Sequence, residues 1–277
     1  YLDKGILICE VDKENSLKLN EELELKRYIE KKNLIYIATP FSYAAADWLI
    51  KNKIKIFKIG SGECNNLPLI KYICKFKKPM IVSTGMNSIS SISKTVKVLT
   101  KEKIPHVLLH CVNLYPVNYD LIRLNRILLF KRKFPKSIIG YSDHSIGNAI
   151  PTAAMGLGAK LIEKHFVISK KRKGPDVICS MDKEELKELL LVSKQIHASL
   201  DSQKDSTEEE DITRKFAFQS VVSNANIFKG ERFSKKNLTT KRPGTGDFPA
   251  SKIYSLFGKI SKRNIKKNRL IRKYDVK

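Results

Sequence analysis

Acidic residues, cysteines and long apolar runs are all scarce in this chain, and each scarcity removes a class of protein. Only 28 Asp and Glu stand against 53 Lys and Arg, a formal net charge of +25. An excess of that size raises nucleic acid or an anionic membrane as partners. The surplus is mostly lysine spread along the whole length, with no arginine stripe, aromatic stacking motif, zinc-finger spacing or RNP pattern. Ordinary solvated faces account for it, and neither nucleic acid nor membrane is expected. The five cysteines, Cys9, Cys64, Cys74, Cys111 and Cys179, are odd in number and contain no CxxC pair. That speaks against a disulfide framework or zinc knuckle and fits a reducing cytoplasm. No run reaches the roughly 18 apolar residues of a membrane span, and no signal peptide opens the sequence. The first residue is Tyr1 rather than Met, which leaves room for upstream residues. Also missing is a glycine-rich dinucleotide fingerprint after any candidate strand, which weakens a Rossmann reading.

What is present is a regular alternation. The 277 residues are 42% apolar, enough for one large α/β domain and a small one. Short apolar runs at 6–10 (ILICE), 34–40 (LIYIATP), 56–61 (IFKIGS), 80–85 (MIVSTG), 106–113 (HVLLHCVN), 137–144 (SIIGYSDH) and 160–166 (KLIEKHF) read as strands. Amphipathic stretches such as LNEELELKRYIEKKN and MDKEELKELLLVSKQIHASL separate or follow them. Strands alternating with helices predict a parallel sheet, and seven such units favour a (β/α) TIM-type barrel over a doubly wound sheet.

One letter in these runs is out of place. A strand buried on both faces is nearly continuous Val, Ile and Leu, yet 56–61 carries Lys58. Side chains alternate along a strand, so Lys58 shares a face with Ile56 and Gly60, opposite Phe57 and Ile59. If that face lines the barrel, the same parity carries Thr39 with Ile35 and Ile37, Ser83 with Ile81, and Asn113 with Leu109 and Cys111. It also carries His144 with Ser142 and His165 with Glu163. Each residue alone is as well explained by a satisfied core polar group. Together they predict a polar ring at the C-terminal mouth, where barrel active sites are built.

Lys58 with Thr39, Ser61, Ser83, Asn113 and Ser142 offers one compact cation and several neutral hydrogen-bonding groups, suited to a phosphate or a phosphate plus carboxylate. His144 and His165 end consecutive strands and could share Mn²⁺ or another divalent cation acting as a Lewis acid. Two imidazoles serve equally as structural groups. Glu63, in the Gly-Ser-Gly-Glu loop, could be a general acid or base or a surface carboxylate. His106, His110 and His197 read as structural, His110 pointing toward the helices. The domain organisation expected is a catalytic barrel over 1–200, an acidic linker over 201–212 and a compact basic domain over 213–277. In the last, Arg242 sits in a loop tightened by Gly244 and Gly246, where it could meet an oxygen-rich ligand or simply solvent.

At these residues the chain resembles the bacterial N-acetylneuraminate (sialic acid) synthase family. The matching stretches are ATPFS, KIGSGECNNLPLI, STGMNSI, LLHCVNLYP, IGYSDHS, EKHF and GPDVICSM, then KGERFS and KRPGTGDF of an antifreeze-like SAF domain. The resemblance runs from about Leu19 to the C-terminus with the motifs in order. It implies a (β/α)8 barrel followed by a SAF domain, assembled as a domain-swapped homodimer. The implied reaction condenses phosphoenolpyruvate with N-acetylmannosamine to N-acetylneuraminate and phosphate; a related hexose giving legionaminate or pseudaminate is the alternative, as is a shortened inactive relative. By motif, His144 and His165 are the implied Mn²⁺ ligands. Thr39, Lys58, Ser61, Ser83, Asn113 and Ser142 are the implied phosphoenolpyruvate site, with Lys58 stabilising charge and Glu63 catalytic. Glu10, Glu63, Tyr115 and Asp176 face the sugar, joined by Phe216 and Arg242 from the partner subunit. One departure stands out: where the family inserts a loop, a helix and a second strand with another phosphate-binding lysine, DKENSLKLNEEL runs straight into the next helix. The barrel is therefore expected to lack one N-terminal strand.

Overall fold

A computed structural model describes residues 16–174, 176–200 and 208–277. The chain divides into two compact units, Tyr1–Asp201 and Ser202–Lys277. In the first, five strands run parallel in sequence order: β1 (Phe57–Ile59), β2 (Met80–Ser83), β3 (His106–Cys111), β4 (Ile138–Asp143) and β5 (Ile162–Lys164). They form a curled half barrel of the TIM type. The helices are α1 (Leu19–Lys31), α2 (Tyr43–Lys51), α3 (Leu67–Cys74), α4 (Ile89–Lys101), α5 (Asn125–Lys133), α6 (Ala149–Gly156) and α7 (Lys183–Leu200).

Helix starts are written locally. Ser42, Asn66 and Ser88 each accept a backbone N–H three residues on, at 3.1, 3.2 and 3.1 Å, satisfying donors that the first turn cannot pair. Ahead of α7, Asp182 Oδ1 accepts from the Glu184 and Glu185 N–H groups while Glu185 Oε2 accepts the Asp182 N–H at 3.1 Å. This reciprocal capping fixes the entry of the longest helix. The main core lies between sheet and helices. Phe57, Ile59, Val82, Leu108 and Tyr141 point outward from the strands and pack with Leu69, Ile70, Ile73, Ile92, Leu99, Ile127 and Phe130.

The apolar run 34–40 does not form the expected strand. It makes a single parallel bridge, Ala38 to Phe57, and Ile35 and Ile37 stand 52% and 39% exposed instead of lining a barrel. Among the described residues it is tied to β1 through that bridge and to α1 through the Tyr36 hydroxyl, which donates to the Glu22 carboxylate. A strand needs a ladder, and one bridge at a sheet edge does not make one. The candidate strand 6–10, with Glu10, lies outside the described residues.

In the second unit a 3₁₀ turn, Glu208–Glu210, leads into α8 (Asp211–Ala217), so 208–212 of the expected linker is helical. Antiparallel β6 (Ser220–Ser223) and β7 (Leu238–Lys241) follow, then the short α9 (Ile253–Leu256). The strands and bridged loops enclose Val221, Ile227, Phe233, Leu238, Leu256, Ile265 and Ile271. A β-carbon on Gly246 would lie 2.5 Å from Ser220 Cβ, so only glycine lets the 241–247 loop cross β6 this closely. Among the described residues no helix is long and apolar enough to cross a membrane.

Candidate active site

The face of the sheet opposite the core carries the polar groups, and they gather at the C-terminal strand ends. Lys58, on β1, is 13% exposed in its side chain; its Nζ donates to Ser83 Oγ on β2 at 2.8 Å and lies 3.3 Å from Glu163 Oε2 on β5. Glu163 Oε1 in turn accepts from Ser142 Oγ on β4 at 2.8 Å. Three of the six residues assigned to phosphate thus meet around one carboxylate. Glu163 was placed on the inward face by parity but given no role. The signal was there: it sits two residues before His165, on the same face.

Asn113 and Ser61 come together across Gly85. A β-carbon there would lie 1.8 Å from Asn113 Oδ1 and 2.9 Å from Ser61 Oγ, which already accepts the Gly85 N–H at 3.1 Å. The Cys111 thiol, raised in pKa by burial, lies 3.3 Å from Asn113 Oδ1. Thr39 borders the mouth beside Gly60, whose added β-carbon would meet Thr39 Cγ2 at 3.7 Å. Glu63 turns back on its own loop, accepting from Asn66 Nδ2 at 2.5 Å.

The imidazoles of His144 and His165 stand with ring centroids 5.5 Å apart, and Tyr115 lies against both, at 3.9 and 5.7 Å. His144 Nδ1 is 2.7 Å from the Val112 carbonyl, which can only accept. The proton is therefore on Nδ1, and Nε2 keeps its lone pair for a ligand. Burial lowers the His144 pKa, favouring the neutral form a metal requires. Burial also pushes the Tyr115 phenol up to about 12, keeping it a hydrogen-bond donor. Asp176 Oδ2 is 3.7 Å from His165 Nδ1. Among the described residues no group of three His, Cys, Asp or Glu side chains could hold an ion. The two adjacent imidazoles, one with an oriented Nε2, fit a divalent ion that takes its other ligands from substrate and water.

The remaining assigned residues are in the second unit. Arg242 Nε donates to the Ala217 carbonyl at 2.9 Å, and its guanidinium lies 5.6 Å from the centre of the Phe216 ring, which is 68% exposed. His106 and His110 are structural as read: His106 contacts the Ile104 carbonyl and Ser137 Oγ, and His110 faces the helices, 2.7 Å from the Ile122 carbonyl.

Comparison with known proteins gives this geometry a context. Residues 4–205 match the NeuB family and 218–277 the SAF domain. The N,N'-diacetyllegionaminic acid synthase of Campylobacter jejuni is 39% identical over 94% of this chain and 78% of its own length. That of Legionella pneumophila is 34% identical over 90% and 72%. Among solved structures, the N-acetylneuraminic (sialic) acid synthetase of Leptospira borgpetersenii, crystallised with citrate, is 34% identical. It superposes with a TM-score of 0.68 over 72% of this chain and 70% of its own.

Proposed function

This chain belongs to the NeuB family and is a nonulosonate synthase, an enzyme that forms a carbon–carbon bond by condensation, and we propose that it joins phosphoenolpyruvate to an N-acetylated aminohexose with release of phosphate. The observation that carries this reading is the convergence of Lys58, Ser83 and Ser142 from three strands beside the His144–His165 pair. A cation and two hydroxyls suit the enol phosphate; two adjacent imidazoles suit a divalent ion, here Mn²⁺, held by His144 and His165. Such an ion, when bound, supplies Lewis-acid polarisation of the sugar's aldehyde oxygen.

The chain's own groups do the rest. Lys58 and the hydroxyls of Ser83 and Ser142 orient the phosphate so that C3 of the enol faces the aldehyde carbon, and Asn113 and Ser61 border the same cradle. The C3–C1 bond forms as the enol π electrons move, water adds at C2 and one of its protons ends on the former aldehyde oxygen, and collapse of that tetrahedral centre breaks the C2–O bond as the remaining hydroxyl proton leaves with phosphate. Lys58 stabilises the charge that accumulates on the departing group. Glu63, held by Asn66, is the carboxylate we assign to proton transfer, and Tyr115 and Asp176 border the space for the sugar.

Two acceptors are supported by different comparisons. The relative at 39% identity favours a diacetamido hexose leading to a legionaminate; the sialic acid synthetase structure favours N-acetylmannosamine leading to N-acetylneuraminate. Phosphate release measured with Mn²⁺, phosphoenolpyruvate and each sugar separates them. No release with any N-acetylated aminohexose would remove the reading. A homodimer is the assembly we propose, tested by sedimentation equilibrium.

A further inference from the structure

We propose that Asp143 and Lys164 form a buried clamp that sets the spacing of the two imidazoles, making them positioning residues for the divalent ion; the inference rests on the metal reading above. Asp143 and Lys164 are Cα partners at the last rung of the β4–β5 ladder, so the next residues on the two strands are His144 and His165. Their side chains point to the helix side, opposite the Ser142–Glu163 pair, as strand alternation requires. Both are shut off from solvent, at 1% and 0% exposure for Lys164 and Asp143, and Lys164 Nζ contacts the Asp143 carboxylate directly. The same ammonium donates to the Ser145 carbonyl at 2.7 Å. Asp143 also accepts from the Tyr141 hydroxyl at 3.0 Å, the Ser145 N–H at 3.1 Å and the Ser145 hydroxyl at 3.0 Å.

The residues on either side of His144 are thereby tied to one ion pair, and that pair is anchored to the residue before His165. The surroundings make the charges conspicuous. Lys164 adjoins a cavity of about 290 Å³ lined otherwise largely by apolar residues including Met155, Met181, Leu186, Leu189 and Leu190. A buried ion pair in such a place is often replaceable by well-packed apolar residues without loss of stability. What apolar residues cannot supply is directional bonding on both flanks of His144. Among the described residues no group of three His, Cys, Asp or Glu side chains could hold an ion, so the two imidazoles have no third protein ligand to correct an error in their spacing.

The test separates geometry from stability. The double variant Asp143→Leu/Lys164→Met is expected to keep the wild-type circular dichroism spectrum while melting lower, because the Tyr141 hydroxyl and the Ser145 N–H, hydroxyl and carbonyl lose buried partners. Its Mn²⁺ Kd, read by calorimetry without substrates, is expected to rise about 10- to 100-fold, in the range for lost groups that orient metal ligands. Its Co²⁺ complex is expected to show a shifted visible absorption spectrum. A folded double variant whose Mn²⁺ Kd stays within about threefold of wild type overturns the clamp. Should the double variant not fold, Tyr141→Phe decides, since it deletes one hydrogen bond to Asp143 and keeps the ring: Mn²⁺ binding several-fold weaker supports the clamp, and unchanged binding overturns it. Failure of the wild type to bind Mn²⁺ overturns the metal reading itself, and the clamp with it.

Discussion

Replacing Lys58 with Met removes the cation that, among the described residues, contacts Ser83 and Glu163, while keeping most of the apolar stem. At 3.3 Å from the Glu163 carboxylate, an ammonium interacts with a unit negative charge by about 5 kcal/mol at an effective dielectric near 20. A phosphate oxygen taking that position gains a similar gross term, and desolvation of both ions offsets most of it. The net value of a charge-assisted hydrogen bond, about 1.5–3 kcal/mol, is what remains. Lys58→Met should therefore raise the KM for phosphoenolpyruvate roughly 10- to 100-fold and lower kcat as well, because charge on the departing phosphate loses its partner. Stability should change by less than about 1 kcal/mol, since the Glu163 side chain is 39% exposed and water can solvate it. The assay is steady-state phosphate release at saturating sugar, with urea unfolding as the control for fold. A KM for phosphoenolpyruvate within about threefold of wild type, in a variant that unfolds normally, would refute the placement of phosphate at Lys58.

Four further outcomes follow from other parts of the structure. Glu163→Gln removes the carboxylate that spans Lys58 and Ser142; calorimetry should show inorganic phosphate binding several-fold tighter, and weaker binding would mean that Glu163 organises the cradle instead of occupying it. Gly85→Ala forces a methyl to within 1.8 Å of Asn113 Oδ1, so phosphate release should fall at least about tenfold as the cradle is displaced, whereas full activity would show that Asn113 moves aside freely. Phe130→Ala, deleting a ring fully buried in the main core, should cost about 3–5 kcal/mol in urea unfolding. Burial holds the His110 pKa down to about 4 against an ordinary 6.5. The folded state thus binds fewer protons than the unfolded one between these values: this contribution is complete above pH 6.5 and is lost as pH falls toward 4, by about 3 kcal/mol in all. His110→Asn should flatten that part of the stability–pH curve, and an unaltered slope would assign it to other groups.

What the sequence disclosed and what it hid divide along a physical line. Strand positions from β1 to β5 and the inward face were legible because alternation is a local rule: one residue's direction fixes its neighbour's, and Lys58 on an otherwise apolar run marked which face mattered. The run 34–40 misled for the complementary reason. Leu34, Ile35 and Ile37 have the composition of a buried strand, yet a ladder needs a partner paired over several residues, and composition cannot say that 34–40 meets β1 through the single Ala38–Phe57 bridge. The choice of sugar was not legible either, because relatives that make different sugar acids match the same family motifs.

The proposed clamp lies on the face of the sheet opposite the polar ring. Strand alternation turns Asp143 and Lys164 toward the helices, opposite Ser142 and Glu163. The two strings SDH and EKH place opposite charges at the same offset, one residue before each histidine, on consecutive strands. In a parallel pair in register, equal offsets become neighbours, so two histidines that meet on one face require their predecessors to meet on the other. An acid and a base at those positions are complementary by construction. The inner ring and its outer support are therefore one prediction: any argument that brings His144 beside His165 also brings Asp143 against Lys164.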